Sequence, residues 1–144
     1  MTGEEIKNLI NAASAARMNA YAPYSGFYVG CAVMTSDGVI YTGANVENSS
    51  YPVGICAERS AFAAAVSAGE HNFAGAAIVG GKGSSLPEHY CFPCGMCRQF
   101  IAEFCKEDFP LILARSEEDY QIHTLSELLP NTFYLTDIKS SENP

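Results

Sequence analysis

Apolar residues at helical spacing open the chain. Ile6, Leu9, Ile10 and Ala13 share one face, and Thr2 with Glu5 forms a capping-box pattern, so a helix is predicted to start after Thr2. The pattern then changes to that of strands. Tyr28 to Thr35 and Val39 to Ala44 are strand-like, and Ser36-Asp37-Gly38 between them reads as the turn of an antiparallel hairpin. Tyr21 to Phe27, with Pro23 and Gly26, and Asn45 to Ile55, with Pro52 and Gly54, read as loops. Cys56 to Ala68 is predicted helical and closed by Gly69. A short apolar strand follows at Ala74 to Val79, and Gly80 to Ser85 reads as a loop. Pro93 stands before a further helix, Cys94 to Phe104. Leu111 to Ala114 reads as a buried strand, Tyr120 to Thr124 as a weaker one, and Leu125 to Leu129 as a short helix ending at Pro130.

Strands alternating with helices, after an opening hairpin, predict an α/β fold. The expected form is a three-layer α/β/α sandwich around a mixed five-stranded sheet. The 144 residues suit a single domain, 1–144, with the polar tail 139–144 expected to fray. An apolar fraction of 48% argues against disorder. The formal net charge of -8 disfavours a nucleic-acid partner, because an acidic surface repels phosphate backbones. No transmembrane run is present, so no membrane partner is expected. The acidic Met1-Thr2-Gly3-Glu4-Glu5 start resembles neither a secretory signal nor a transit peptide, which makes the cytoplasm the expected compartment.

The chemistry concentrates in six cysteines: Cys31, Cys56, Cys91, Cys94, Cys97 and Cys105. Without a secretory signal, clustered thiols point to metal rather than disulfides. Two segments stand out, Cys56-Ala57-Glu58-Arg59 and Pro93-Cys94-Gly95-Met96-Cys97-Arg98-Gln99, and each opens a predicted helix. Unpaired N–H groups and the helix dipole favour thiolate at such a start, and thiolate is the form that binds zinc. Cys94 and Cys97 share one face of a helical turn, and Cys56 approaches from the other helix. Three protein ligands leave a tetrahedral zinc one open position, the mark of a catalytic site. Beside a metal, the Glu58 carboxylate can take a proton from an activated water and later deliver protons to a ring nitrogen and a leaving amine. Arg59 can donate to the ligand sulfurs and offset their negative charge. The competing reading is a structural zinc closed by Cys91, which leaves Glu58 without a purpose. Cys31 and Cys105 read as buried filler, and His71, His89 and His123 as surface residues.

Zinc deaminases of nucleobases carry H-x-E followed by P-C-x-x-C. With C-x-E followed by P-C-x-x-C, this chain resembles the short, all-cysteine cytidine deaminases that act on free nucleosides, from about Tyr21 to Ile138. The resemblance implies one zinc per subunit and hydrolytic deamination of cytidine and deoxycytidine. It also implies a homotetramer with sites at subunit contacts. Tyr24-Ser25-Gly26-Phe27 is similar to the family's Y-S-x-F, which would set Phe27 against the pyrimidine. Asn45-Val46-Glu47-Asn48 is similar to N-x-E-N, which would give Asn45 and Glu47 the ribose 3′-hydroxyl. Tyr51 would lie near the pocket and the subunit interface, and the Ala57 backbone would meet the base edge. Leu128-Leu129-Pro130-Asn131-Thr132-Phe133 is similar to L-L-P-x-x-F, which would send Phe133 into a neighbouring subunit's site. The chain departs from the family pattern at Phe92, usually Ser, at Met96, commonly Ala, and at Tyr134-Leu135, usually Gly-Pro. Asp137-Ile138 resumes the pattern. A blasticidin-type aminonucleoside deaminase shares the metal motif, but Phe27, Asn45, Glu47 and Phe133 together favour cytidine.

Overall fold

The computed structural model describes residues 1–135. Asp137-Ile138 and the tail 139–144 lie outside the described residues. Helix α1, Gly3–Arg17, starts on the capping box: Glu5 N–H donates to Thr2 Oγ1, and Thr2 N–H donates to the Glu5 carboxylate. Strands β1, Phe27–Thr35, and β2, Ile40–Ala44, form the antiparallel hairpin. Helix α2, Ala57–Ser67, follows, then strand β3, Phe73–Lys82, and helix α3, Gly95–Phe104. Strands β4, Pro110–Ala114, and β5, Tyr120–Thr124, and the short helix α4, Leu125–Leu128, complete the order.

The sheet has five strands in the order β2-β1-β3-β4-β5. Only β3 and β4 run parallel, because α3 carries the chain back between them; the other pairs are antiparallel. Period-two alternation sorts the side chains into two cores. Cys31, Val33, Ala76, Ile78, Leu111 and Leu113 pack with Phe62 of α2, Ile101 of α3 and Leu125 of α4. The intervening Ala32, Met34, Ala77, Val79, Ile112 and Ala114 pack with Ile6, Leu9, Ile10 and Ala13 of α1. This is the three-layer α/β/α sandwich with a mixed sheet. No helix among the described residues is long and apolar enough to cross a membrane.

Two details differ from expectation. Gly80, Gly81 and Lys82, predicted as loop, belong to β3, and they pair with Val29, Tyr28 and Phe27 of β1. The glycines serve close packing here rather than a turn: a Cβ on Gly80 would lie 2.7 Å from Cys91 Sγ. The 45–55 loop also carries structure of its own, a 3-10 turn at Tyr51–Val53 and bridges from Val46 to Tyr21 and Ile55.

One sheet end collects the chemistry. Phe27 starts β1, Asn45 follows the end of β2, and the loop after β3 leads to Cys94. The carboxyl ends of strands in open α/β sheets are the usual place for ligands. The seating of α2 on β2 depends on Gly43, where a Cβ would lie 2.4 Å from the Ala61 nitrogen and 2.8 Å from the Ala57 carbonyl oxygen. Gly43→Ala is therefore expected to cost about 1–3 kcal/mol as overpacking and to weaken zinc retention, since the displaced turn adjoins Cys56. Thermal melting and metal analysis check this, and an unchanged melting temperature would show that α2 has room to move.

Candidate functional site

Cys56 is the N-cap residue of α2, Cys94 is the N-cap of α3, and Cys97 lies in the first turn of α3. Neither cap cysteine's side chain makes a capping hydrogen bond to its own helix backbone. The sulfurs turn to one another instead: Cys56 Sγ lies 3.9 Å from Cys94 Sγ, which lies 3.5 Å from Cys97 Sγ. All three lie within 4.8 Å of one another. Tetrahedral zinc with its usual sulfur distance needs ligand sulfurs about 3.8 Å apart. Among the described residues, no other His, Cys, Asp or Glu joins this group. Cys91 therefore does not make a four-cysteine site. Burial first, then the nearby Glu58 carboxylate, push its thiol up to about 12, so it stays protonated.

Electrostatics also fit a dication. A hydrogen bond from Cys97, supported by Arg59, outweighs burial and pulls Cys56 down to about 5. The same contact, together with burial, drives the Cys97 thiol far up. Glu58 is only 4% exposed. Burial, then the Cys56 thiolate, push its carboxyl up to about 7. Further ionisation would crowd negative charge that a bound cation relieves. Arg59 Nη2 donates to Cys56 Sγ at 3.7 Å, and the Cys56 contact raises the guanidinium further. Its Nε is a buried donor without a partner among the described residues, beside sulfurs that become stronger acceptors as thiolates.

An open cavity of about 460 Å³ reaches this centre. Asn45, Glu47, Tyr51, Cys56, Ala57, Glu58 and Cys94 line it, as do Cys91 and Phe92.

Comparison with known proteins matches this arrangement. The model of the cytidine and deoxycytidylate deaminase zinc-binding region matches residues 3–112. The cytidine deaminase of Sporosarcina psychrophila is 42% identical over 134 residues, covering 93% of this chain and 95% of its own. That of Halalkalibacterium halodurans is 42% identical over 130 residues, 90% of this chain and 95% of its own. The crystal structure of cytidine deaminase from Burkholderia pseudomallei superposes with a TM-score of 0.81 at 41% identity, covering 92% of this chain and 100% of that one. This chain belongs to the cytidine and deoxycytidylate deaminase family. Zinc is its metal, and the three sulfurs are the cluster fitted to hold it.

In this deaminase fold the remaining predicted residues fall into two groups. Asn45, Glu47, Tyr51 and Ala57 reach the cavity with the metal cluster. Asn45 continues the hairpin: its Oδ1 accepts from Val29 N–H at 2.8 Å, and its Nδ2 donates to the Phe27 carbonyl at 2.9 Å. Glu47 Oε1 accepts from Tyr24 N–H and Ser25 N–H. Tyr51 is 75% exposed on its 3-10 turn, with its ring 5.7 Å from that of Tyr24. Phe27 and Phe133 are not among the cavity's lining residues. Phe27 lies beside it at the strand start, its ring against Gly80. Phe133 is 68% exposed, and its carbonyl accepts from Gln99 Nε2 at 3.0 Å.

Several residues at the site were given no role from the sequence. Ser25 holds Glu47 across 22 positions of sequence. Arg98 Nε donates to the Pro93 carbonyl at 2.7 Å, and its Nη1 donates to the Leu128 carbonyl at 2.6 Å, which pins the turn that delivers Cys94. The only clue to Arg98 was its place directly after Cys97. His123, expected at the surface, is half-buried: it sits between Gln121 and Glu127, with its ring 5.5 Å from that of Phe92. His71 and His89 are exposed.

Proposed function

We propose that the chain hydrolyses cytidine and 2′-deoxycytidine to the corresponding uridines and ammonia. The observation that carries this reading is a buried acid, Glu58, on the wall of the same cavity as the Cys56 and Cys94 sulfurs. Zinc held by Cys56, Cys94 and Cys97 supplies Lewis acidity that makes a water nucleophilic at neutral pH. Glu58 takes the proton of that water and passes it to N3 of the base, while the water oxygen bonds to C4. Glu58 then carries the second proton to the 4-amino group, so that the C4–N bond breaks and ammonia leaves. Burial favours this shuttling, because a carboxyl held near neutrality both accepts and donates protons. Arg59 steadies the Cys56 thiolate and limits the negative charge around the metal.

Asn45 and Glu47 take the sugar's 3′-hydroxyl. Asn45 has one N–H and one lone pair left over, and Glu47 has acceptor capacity left over, which suits a group that both accepts and donates. Phe27 lies against the base, and the Ala57 backbone meets its edge. The chain assembles as a homotetramer in which the exposed Tyr51 and Phe133 serve sites at subunit contacts. Six cysteines outside any disulfide fit a reducing compartment, the cytoplasm.

Ammonia release from cytidine, with and without a chelator, tests the activity. Zinc bound at one per chain, with no deamination of any cytosine nucleoside, would sink it. Charge adds a sharper expectation. Among the described residues, Arg59 is the sole Lys or Arg lining the cavity, and it is committed to sulfur, whereas Glu47 faces the sugar. A 5′-phosphate therefore meets carboxylates without a free cation. Cytidine is expected to exceed cytidine 5′-monophosphate in kcat/KM by at least about 100-fold, as a like-charge penalty of several kcal/mol implies. Parallel assays of the two compounds decide this, and equal turnover would mean a phosphate-reading site.

A further inference from the structure

Four hydrogen bonds converge at the 24–27 turn. Ser25 Oγ donates to Glu47 Oε2 at 2.5 Å. The amides of Tyr24 and Ser25 donate to Glu47 Oε1 at 2.9 and 3.1 Å. Ser25 Oγ also accepts from Phe27 N–H at 3.0 Å. Tyr24 and Phe27 contribute only backbone to this node, so among the described residues the Ser25 hydroxyl is the side-chain group that joins the Glu47 carboxylate itself to the backbone at the start of β1; Asn45 ties the same loop to β1 separately. We propose that Ser25 is a positioning residue that aims the Glu47 carboxylate at the substrate's sugar hydroxyl and ties that carboxylate to the backbone of Phe27.

A carboxylate offers about four acceptor sites, and three are filled from the 24–25 turn. One remains, and the rotamer that these donors impose decides where it faces. Glu47 lines both the cavity that reaches the metal cluster and an adjoining one lined by Tyr24, Ser25, Asn48 and Tyr51. Without the Ser25 hydroxyl, Oε2 loses its only side-chain donor among the described residues. The carboxylate can then turn toward the second cavity, away from the sugar. Ser25 also holds the Glu47 carboxyl below the ordinary carboxylate range, which keeps it an acceptor. The hydroxyl works in both directions, since the bond it accepts from Phe27 N–H orients the one it donates.

This proposal rests on the reading that Glu47 binds the 3′-hydroxyl, and the test separates the two. Steady-state kinetics are measured on cytidine and 3′-deoxycytidine for the wild type, S25A, S25T, E47Q and S25A/E47Q, each at full zinc content. If Glu47 reads the hydroxyl, the wild type prefers cytidine and E47Q loses that preference. Failure there overturns the Glu47 reading and this proposal with it. With that preference intact, S25A is expected to raise the KM for cytidine about tenfold at nearly constant kcat, the signature of lost uniform binding. S25A should leave 3′-deoxycytidine unaffected and add nothing in the E47Q background, and S25T, which keeps the hydroxyl, should restore the wild-type KM. A wild-type KM in S25A overturns the role of Ser25, as does an equal penalty on 3′-deoxycytidine or in E47Q. Ser25 is exposed, and the melting temperature and zinc content of S25A check that its fold is intact.

Discussion

Glu58→Ala is expected to bind zinc at the wild-type level and to lose about 10³- to 10⁴-fold in kcat, the upper range for removal of a general acid–base. The size of the loss follows from geometry. Glu58 is the only carboxylate in the first turn of α2, and at 4% exposure it is shielded from bulk water, so solvent cannot stand in for it. In the proposed mechanism the same group takes the proton of the attacking water and delivers protons to N3 and to the leaving amine, so one deletion would remove each transfer. Zinc is retained because Glu58 is not in the sulfur cluster. Glu58→Gln, which keeps the volume, should be impaired to a similar degree, separating proton transfer from packing. Burial of a carboxylate is costly, so neither change should lower the melting temperature through loss of charge. Ammonia release and metal content are the measurements; activity within tenfold of wild type in either variant would remove Glu58 from the mechanism.

Cys94→Ala is expected to abolish turnover by a different route. Loss of a neighbour that merely orients a zinc ligand costs about 10- to 100-fold in affinity, so loss of a ligand should cost at least about 100-fold. Cys94 would join α3 to α2 through the metal, and its sulfur lies 3.9 Å from that of Cys56 and 3.5 Å from that of Cys97. The variant should therefore purify with little zinc and melt below wild type, because metal bound only to the folded state stabilises it by mass action. Added zinc should raise the melting temperature of the wild type far more than that of the variant. Cys105→Ala is the control: that thiol is buried outside the cluster, so zinc content should stay at one per chain. Full zinc and activity in Cys94→Ala would refute the three-sulfur centre.

Much of the fold was legible because its signals are local. The Thr2 and Glu5 cap, the Asp37-Gly38 turn and Gly69 after α2 act over a few residues, and each sits where expected. Even the weak β5 was visible, since Tyr120, Ile122 and Thr124, residue types that strands favour, recur at every second position. Gly80 and Gly81 misled because glycine marks both turns and close packing, and only the approach of Cys91 and Arg17 selects the second. The three-sulfur cluster was legible for a related reason. Cys94 and Cys97 are one helical turn apart, and Glu58 is fixed relative to Cys56 by the start of α2.

The sequence by itself determined the elements, the donor types and the acid, because capping, periodicity and thiolate chemistry depend on neighbours along the chain. Only the tertiary structure decided that Cys91 stays out of the sulfur cluster, that Arg98 pins the Cys94 turn, and that Ser25 grips Glu47. Those outcomes depend on which distant segments the sheet order brings to one edge. Strand pairing and desolvation act through space, so they leave no fixed spacing along the chain to read.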